Sequence, residues 1–366
     1  MDPAFPTAGP LPPPEALTRF ALDDPDASPH GFELLLPAGW SNAYFAPTVE
    51  PAQDGPPRQL AAFVKAGRQA RIDVCAAVIS REINPADWLT LTLRAAGHDV
   101  RKTRRGPGPA GDVADVLSVV PRPGGAVVAR SLALKDGARI ALVQAAAAEA
   151  DYPALAEDFR VAVATFRLTG VLGLRYAETM NTWSAEAPVA CRFLAPLSWT
   201  QMDMERPPDG GSGFHLLHEI DGRLLGQIAF GAFPPDAAPD HRELFRRVGT
   251  VVCAAGVVPA EGAWTGRTAE DGVSGVWTAA VAGSRAGPPG GTTGAAPVDM
   301  RLVASRTPEA WFAFVLFGPG PEQAPWVHAV NARALQVAVE TLGPTPDDPG
   351  GADEESVEDE TDYLTV

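Results

Sequence analysis

Two stretches of this chain repeat one pattern. Phe32-Glu33-Leu34-Leu35-Leu36-Pro37-Ala38-Gly39-Trp40 and Cys191-Arg192-Phe193-Leu194-Ala195-Pro196-Leu197-Ser198-Trp199 each read as a short strand, a proline, and a tryptophan three residues later. The same order of elements follows each of them, so the chain reads as two copies of one small α+β domain. A length of 366 residues is enough for two domains with full cores.

The first copy continues with Gln59–Val64 and Ala70–Ile79 around a Gly67 turn, a hairpin pattern. Pro85–Ala96 reads as a helix, with Asn84 as N-cap, Pro85 at the tolerated first position and Gly97 ending it. Strands are expected near Val113–Val120, Val127–Leu134 and Arg139–Ala147, the last two meeting at Asp136-Gly137. Pro153–Phe166 closes the unit as a helix with Leu155, Phe159, Ala162, Val163 and Phe166 at helical spacing. In the second copy Phe214–Glu219 and Leu224–Phe233 flank Asp221-Gly222, Asp240–Ala255 is an amphipathic helix, Val273–Val281, Met300–Ser305 and Ala310–Phe317 are strands, and Pro325–Leu342 is the closing helix. The predicted order in each copy is β-β-β-α-β-β-β-α, which favours antiparallel sheets with helices packed against them.

Around these copies, residues 1–28 read as a Pro-rich, irregular N-terminal extension, 29–168 as domain 1, 169–188 as a linker, 189–342 as domain 2, and 343–366 as an acidic, disordered tail. Ser284–Pro297 reads as a mobile Gly/Pro/Thr loop inside the second copy. The net charge is −16, with 45 acidic against 29 basic residues; nine of the acids lie between Asp347 and Asp362, leaving 36 − 29, or −7, on the folded part. Such a charge disfavours nucleic acid and anionic membrane as partners, since phosphate binding needs clustered Lys and Arg. The start has neither a basic nor an apolar leader region, and no run is long enough to span a bilayer, so the expected location is the cytoplasm without membrane insertion. Cys75, Cys191 and Cys253 lack metal-site spacing and read as small buried hydrophobes.

Strand-Pro-x-x-Trp, hairpin, helix, three strands and a last helix together resemble the PsbP-like (DcrB-like) α/β/α sandwich. The resemblance extends to the Eag-type chaperones of type VI secretion effectors. Leu36-Pro37-Ala38-Gly39-Trp40, the helix opening Ala86-Asp87-Trp88-Leu89, the hairpin from Val128–Leu134 to Ile140–Val143 and the closing helix carry it. Three of the four recur in the second copy, as Pro196–Trp199, Met300–Phe317 and Pro325–Leu342. In that group two domain copies shield apolar transmembrane helices of an effector before export. The resemblance therefore implies a fused pair acting as one pseudo-dimer on such a client.

The strands give a place for that client. Ala141, Val143, Ala145 and Ala147 are apolar opposite Ile140 and Leu142, and Trp311, Ala313, Val315 and Phe317 are apolar opposite Phe312, Phe314 and Leu316. A strand apolar on both faces needs cover on both, either from the other domain or from a bound helix. These eight residues are the expected client-binding surface.

Catalytic and cofactor signatures do not emerge. His215 and His218 are three apart in a strand and point to opposite faces, so they do not chelate readily. Ser274 does not sit in a nucleophile elbow, and there is no dinucleotide or P-loop fingerprint. Arg101-Lys102-Thr103-Arg104-Arg105 reads as a solvated loop or as a dock for an acidic partner or the chain's own tail. Trp40, Trp88 and Trp199 read as core anchors. The expected function is a non-catalytic chaperone- or adaptor-like protein-binding module without cofactor or metal; the alternative is a scaffold protein that uses its loops and acidic tail.

Overall fold

The structure is a computed structural model that describes residues 5, 9–22, 30–46, 50–108, 111–203, 211–254, 257–259, 264–268, 274–285 and 296–345; side chains at 107–108, 111, 248–254, 257–259, 267–268, 284–285 and 296–297 lie outside that description. Most of the acidic tail, the loop at 286–295 and parts of the N-terminal segment fall outside the described residues too.

In chain order the elements are β1 (Leu17–Leu22), β2 (Phe32–Pro37), β3 (Trp40–Phe45), β4 (Arg58–Lys65), β5 (Ala70–Val78), α1 (Pro85–Ala95), β6 (Asp99–Gly108), β7 (Gly111–Arg122), β8 (Gly125–Asp136), β9 (Arg139–Ala148), α2 (Tyr152–Thr165) and β10 (Arg167–Leu168). The second half has β11 (Met180–Ala185), β12 (Cys191–Pro196), β13 (Trp199–Asp203), β14 (Ser212–Ile220), β15 (Arg223–Phe233), α3 (His241–Ala254), β16 (Val257–Pro259), β17 (Trp264–Thr268), β18 (Gly275–Arg285), β19 (Ala296–Arg306), β20 (Trp311–Gly318), α4 (Pro325–Thr341) and β21 (Gly343–Pro344). The architecture is α+β, mostly antiparallel sheet with few helices. Each half has a small sheet, β1-β2-β10 or β11-β12-β21, and a large one, β3-β4-β5-β9-β8-β7-β6 or β13-β14-β15-β20-β19-β18-β16, with β17 also on β18.

The duplication holds at the level of single residues. Trp40 pairs with Lys65 and Trp199 with His218. Counting from those corners, the row Phe63–Ile72–Ala145–Arg130–Leu117 crosses the first large sheet where Leu216–Ile228–Leu316–Arg301–Ala280 crosses the second. The closing helices are fixed alike. Leu35 N–H donates to Thr165 Oγ1 at 3.0 Å, and the hydroxyl donates to Val161 O at 2.8 Å. Leu194 N–H donates to Thr341 Oγ1 at 2.9 Å, and that hydroxyl donates to Val337 O at 2.7 Å.

Local chemistry explains the best-anticipated elements. Asn84 accepts from Ala86 N–H at 2.9 Å and caps α1, which Pro85 opens. Asp221 and Gly222 both have positive φ, +52° and +71°, as a tight two-residue hairpin turn requires.

Five elements correct the sequence reading. The extension is not wholly irregular, because Leu17–Leu22 pairs with β2 along its whole length. The linker likewise supplies β11, paired with β12 from Met180 to Ala185. Arg101–Arg105 is not a loop but part of β6, paired with β7. A run of charges on a sheet-edge strand leaves no apolar alternation to read, and it protects that edge from pairing with other chains. Trp40 and Trp199 also begin strands of their own, β3 and β13, where the sequence reading placed no strand.

Candidate functional site

The eight residues expected to bind a client are all buried within the protein's own cores. Ala141, Val143, Ala145 and Ala147 lie in the cluster containing Leu155, Phe159, Ala162 and Val163 of α2. Ile140 and Leu142, their alternate neighbours, lie under Trp88, Leu89 and Leu93 of α1. On the second sheet Trp311, Ala313, Val315 and Phe317 are clustered with Leu244 and Phe245 of α3, while Phe312, Phe314 and Leu316 face Leu335 and Ala338 of α4. The strands are apolar on both faces because both faces of β9 and of β20 are buried in the protein's own clusters. The two expected patches also do not correspond. In the aligned rows Ala141 matches Phe312, whereas Trp311 matches Ile140, so one set faces α2 and the other faces α3. They form neither a shared surface nor an open groove.

The repeated corners are anchors, as read from the sequence. The Lys65 ammonium lies 5.6 Å from the Trp40 ring centroid, and Trp40 Nε1–H donates to Asp158 at 2.9 Å. In the second half the His218 ring stacks on Trp199 at 5.2 Å and its Nδ1 lies 2.8 Å from Asn331 Oδ1. Burial holds His218 below its usual pKa, so the imidazole is neutral. His215 meets Gln227 instead, at 2.8 Å, and the two histidines do not converge. Among the described residues no group of three or more His, Cys, Asp or Glu is arranged to hold a metal ion. Cys75 and Cys191 are free thiols raised by burial to about 12 and about 11; the side chain of Cys253 lies outside the described residues.

What the sequence did not reveal is a charged knot between the halves. Glu82, in the turn before α1, has no exposure, and it accepts from Lys135 Nζ with both oxygens at 2.8 Å. It also accepts from Arg333 Nε of α4 at 2.9 Å and from Ala177 N–H at 2.7 Å. Lys135 and Arg333 are each 4% exposed. Burial pulls the Lys135 ammonium below its usual range, with Glu82 opposing. Asp136, also fully buried, accepts from Leu172 N–H at 2.7 Å and Leu174 N–H at 3.3 Å. The segment between the halves is thereby fastened to the first half. Single acidic and basic residues far apart in sequence carry no periodic signal, so their meeting is a tertiary fact.

Beside the knot, α1 and α4 approach each other, with Ala329 buried in the α1 cluster. They border a cleft of about 870 Å³ whose walls include Ile79, Ile83 and Trp88 from the first half and Ile220, Trp326 and Val330 from the second. Ile79, Ile83 and Trp88 are buried, whereas Trp326 is 42% and Ile220 40% exposed. Asp54, Ser80 and Arg81 add polar groups to the lining. An apolar floor with two large exposed apolar side chains can receive an apolar partner surface. Among the described residues no helix is long and apolar enough to cross a membrane.

No protein-family model matches the chain, and no curated protein matches it. Among solved structures, the cyanobacterial PsbP protein CyanoP from Synechocystis sp. PCC 6803 matches at 12% identity, covering 44% of this chain and 98% of its own, with a TM-score of 0.32. The Saccharomyces cerevisiae Ran-binding protein Mog1p matches at 15% identity over 45% of this chain and 96% of its own, with a TM-score of 0.29.

Proposed function

We propose that this protein is a non-catalytic, chaperone- or adaptor-like binding module that shields an apolar helix of a client protein in the cleft between its two halves. The observation that carries the reading is the pairing of Trp326 and Ile220, both exposed, with the buried Ile79–Ile83–Trp88 wall across a cleft of about 870 Å³. Helices laid in apolar grooves use side chains three and four apart as anchors, and a cleft of this size takes two or three of them. The knot of Glu82, Lys135 and Arg333 supports it by fixing the two walls in register.

The resemblance to Eag-type chaperones suggests a client class: a type VI secretion effector with transmembrane-type helices, met in the cytoplasm. The PsbP-like α/β/α sandwich is the finer fold reading that goes with it, and the burial of both faces of β9 and of β20 in the protein's own clusters supports that reading.

The test is a titration of the full chain with a soluble-flanked, Leu/Ala-rich helical peptide, read by tryptophan fluorescence. Saturable binding is expected, weakened at least about tenfold by Ile220→Asp. Binding that Ile220→Asp and Trp326→Ala leave unchanged would remove the cleft from the account.

A further inference from the structure

The duplication exposes a vacancy elsewhere. In the first half Phe5, Gly9 and Pro10 of the chain's own N-terminal segment lie against α2 and strands β6 and β8. Phe5 packs against the first core, with the Arg104 guanidinium 3.7 Å and the Arg130 guanidinium 5.5 Å from its ring centroid. Arg160 of α2 holds the backbone that follows, donating to Gly9 O at 2.9 Å and Pro10 O at 2.8 Å.

Among the described residues, no such segment occupies the equivalent groove of the second half. Arg301 stands where Arg130 does, and Gln336, five residues before Thr341, stands where Arg160 stands before Thr165. Both line a cavity of about 770 Å³ together with Thr278, Ala280, Val303 and Leu335. The segment that would fill it by analogy is the one preceding β11. That segment is fastened to the first half instead, through Asp136 and Glu82. The vacancy therefore has a structural cause.

We propose that this second groove is a peptide-binding seat for an extended segment of a partner protein anchored by a tyrosine or tryptophan. The mode follows from the seated precedent: an aromatic ring against an arginine, with backbone carbonyls four and five residues later facing a side-chain N–H donor on the helix. The anchor's size follows from three replacements. Leu117, Leu132 and Phe159 of the filled groove become Ala280, Val303 and Leu335, so the seat is wider than a phenylalanine needs. Its chemistry follows from two more. Arg104 and Asp115 become Thr265 and Thr278, whose hydroxyls lie 3.1 Å apart at the groove wall and suit the O–H or N–H tip of a larger ring. This seat lies on the sheet face under α4 and shares no lining residue with the cleft between α1 and α4, although Asp87 of α1, Arg105 of β6 and Arg333 of the knot also border it.

The test uses synthetic peptides with the sequence of residues 5–13, carrying Phe, Tyr or Trp at the first position, titrated into the full chain by fluorine NMR of a labelled ring. One site per chain is expected, with the Tyr or Trp peptide binding more tightly than the Phe peptide. Ala280→Trp, which fills the seat, should weaken binding at least about tenfold. Thr278→Trp should act alike, so that misfolding of one variant does not decide the outcome; a thermal melt checks both. No saturable binding, or binding indifferent to both substitutions, overturns the proposal. Binding that emerges only after removal of residues 346–366 also overturns it, by giving the seat to the chain's own tail.

Discussion

Replacing Glu82 by alanine should separate the two halves energetically. The carboxylate has no exposure and accepts four hydrogen bonds, two from Lys135, one from Arg333 and one from Ala177 N–H. Its removal leaves two cations that are each 4% exposed without their main counter-charge. Breaking a buried ion pair by deleting one partner costs about 3–5 kcal/mol. At about 2–4 °C per kcal/mol for units of this size, the melting temperature should fall by about 6–20 °C. Urea denaturation of the full chain measures the loss. A pH series adds a sign. Without Glu82 the burial of Lys135, opposed only by the smaller effect of Asp112, lowers its folded pKa further below the ordinary 10.5. The unfolded chain then binds more protons between that folded value and 10.5, so stability rises with pH across this window and the deficit of the variant shrinks. Replacing all three side chains together, as Glu82→Met, Lys135→Met and Arg333→Leu, should restore most of the stability, because an apolar trio has no ions to desolvate. A loss under about 1 kcal/mol for Glu82→Ala would refute the reasoning, since no buried pair of this geometry breaks so cheaply.

Thr165→Val and Thr341→Val each leave one strand N–H, of Leu35 or Leu194, without its acceptor. Each should cost about 1–2 kcal/mol in denaturant melts, and the two should add because they lie in separate halves. His218 is held below 6.5 by burial, so the unfolded chain takes up the proton first; stability should fall as pH drops below 6.5, and His218→Gln should flatten that slope in melts at pH 7.5 and 5.5. Cys75, half-buried, and Cys191, buried, are raised to about 12 and about 11 and should resist a thiol reagent at pH 8 in a Cys253→Ser background; labelling within seconds would contradict these raised pKa values.

The elements that carry strong local signals were readable from the sequence. Asn84-Pro85 fixed the start of α1, Asp136-Gly137 and Asp221-Gly222 fixed two hairpins, and the paired Pro-x-x-Trp corners gave the duplication. The edge strands were not readable. β6 carries Arg101–Arg105 and β1 and β11 are short and half-exposed, so none shows an apolar alternation. The candidate surface failed for a different reason. Apolar residues on both faces of β9 and β20 state that both faces are covered, but not by what, and the cover is α1 with α2 and α3 with α4. The cleft depends on Ile220 and Trp326, single apolar residues at element ends, which acquire meaning only when α1 and α4 meet.

The most direct test of a client helix between the halves is site-specific photo-crosslinking in the full chain. A photoreactive residue replaces Trp326 at the cleft or, as control, Leu197, which is 57% exposed at a corner outside the cleft lining. With a transmembrane-type helical peptide, the account predicts adducts from position 326 that an excess of unlabelled peptide abolishes, and none from 197. Equal yields from both positions, or none from 326, would contradict it.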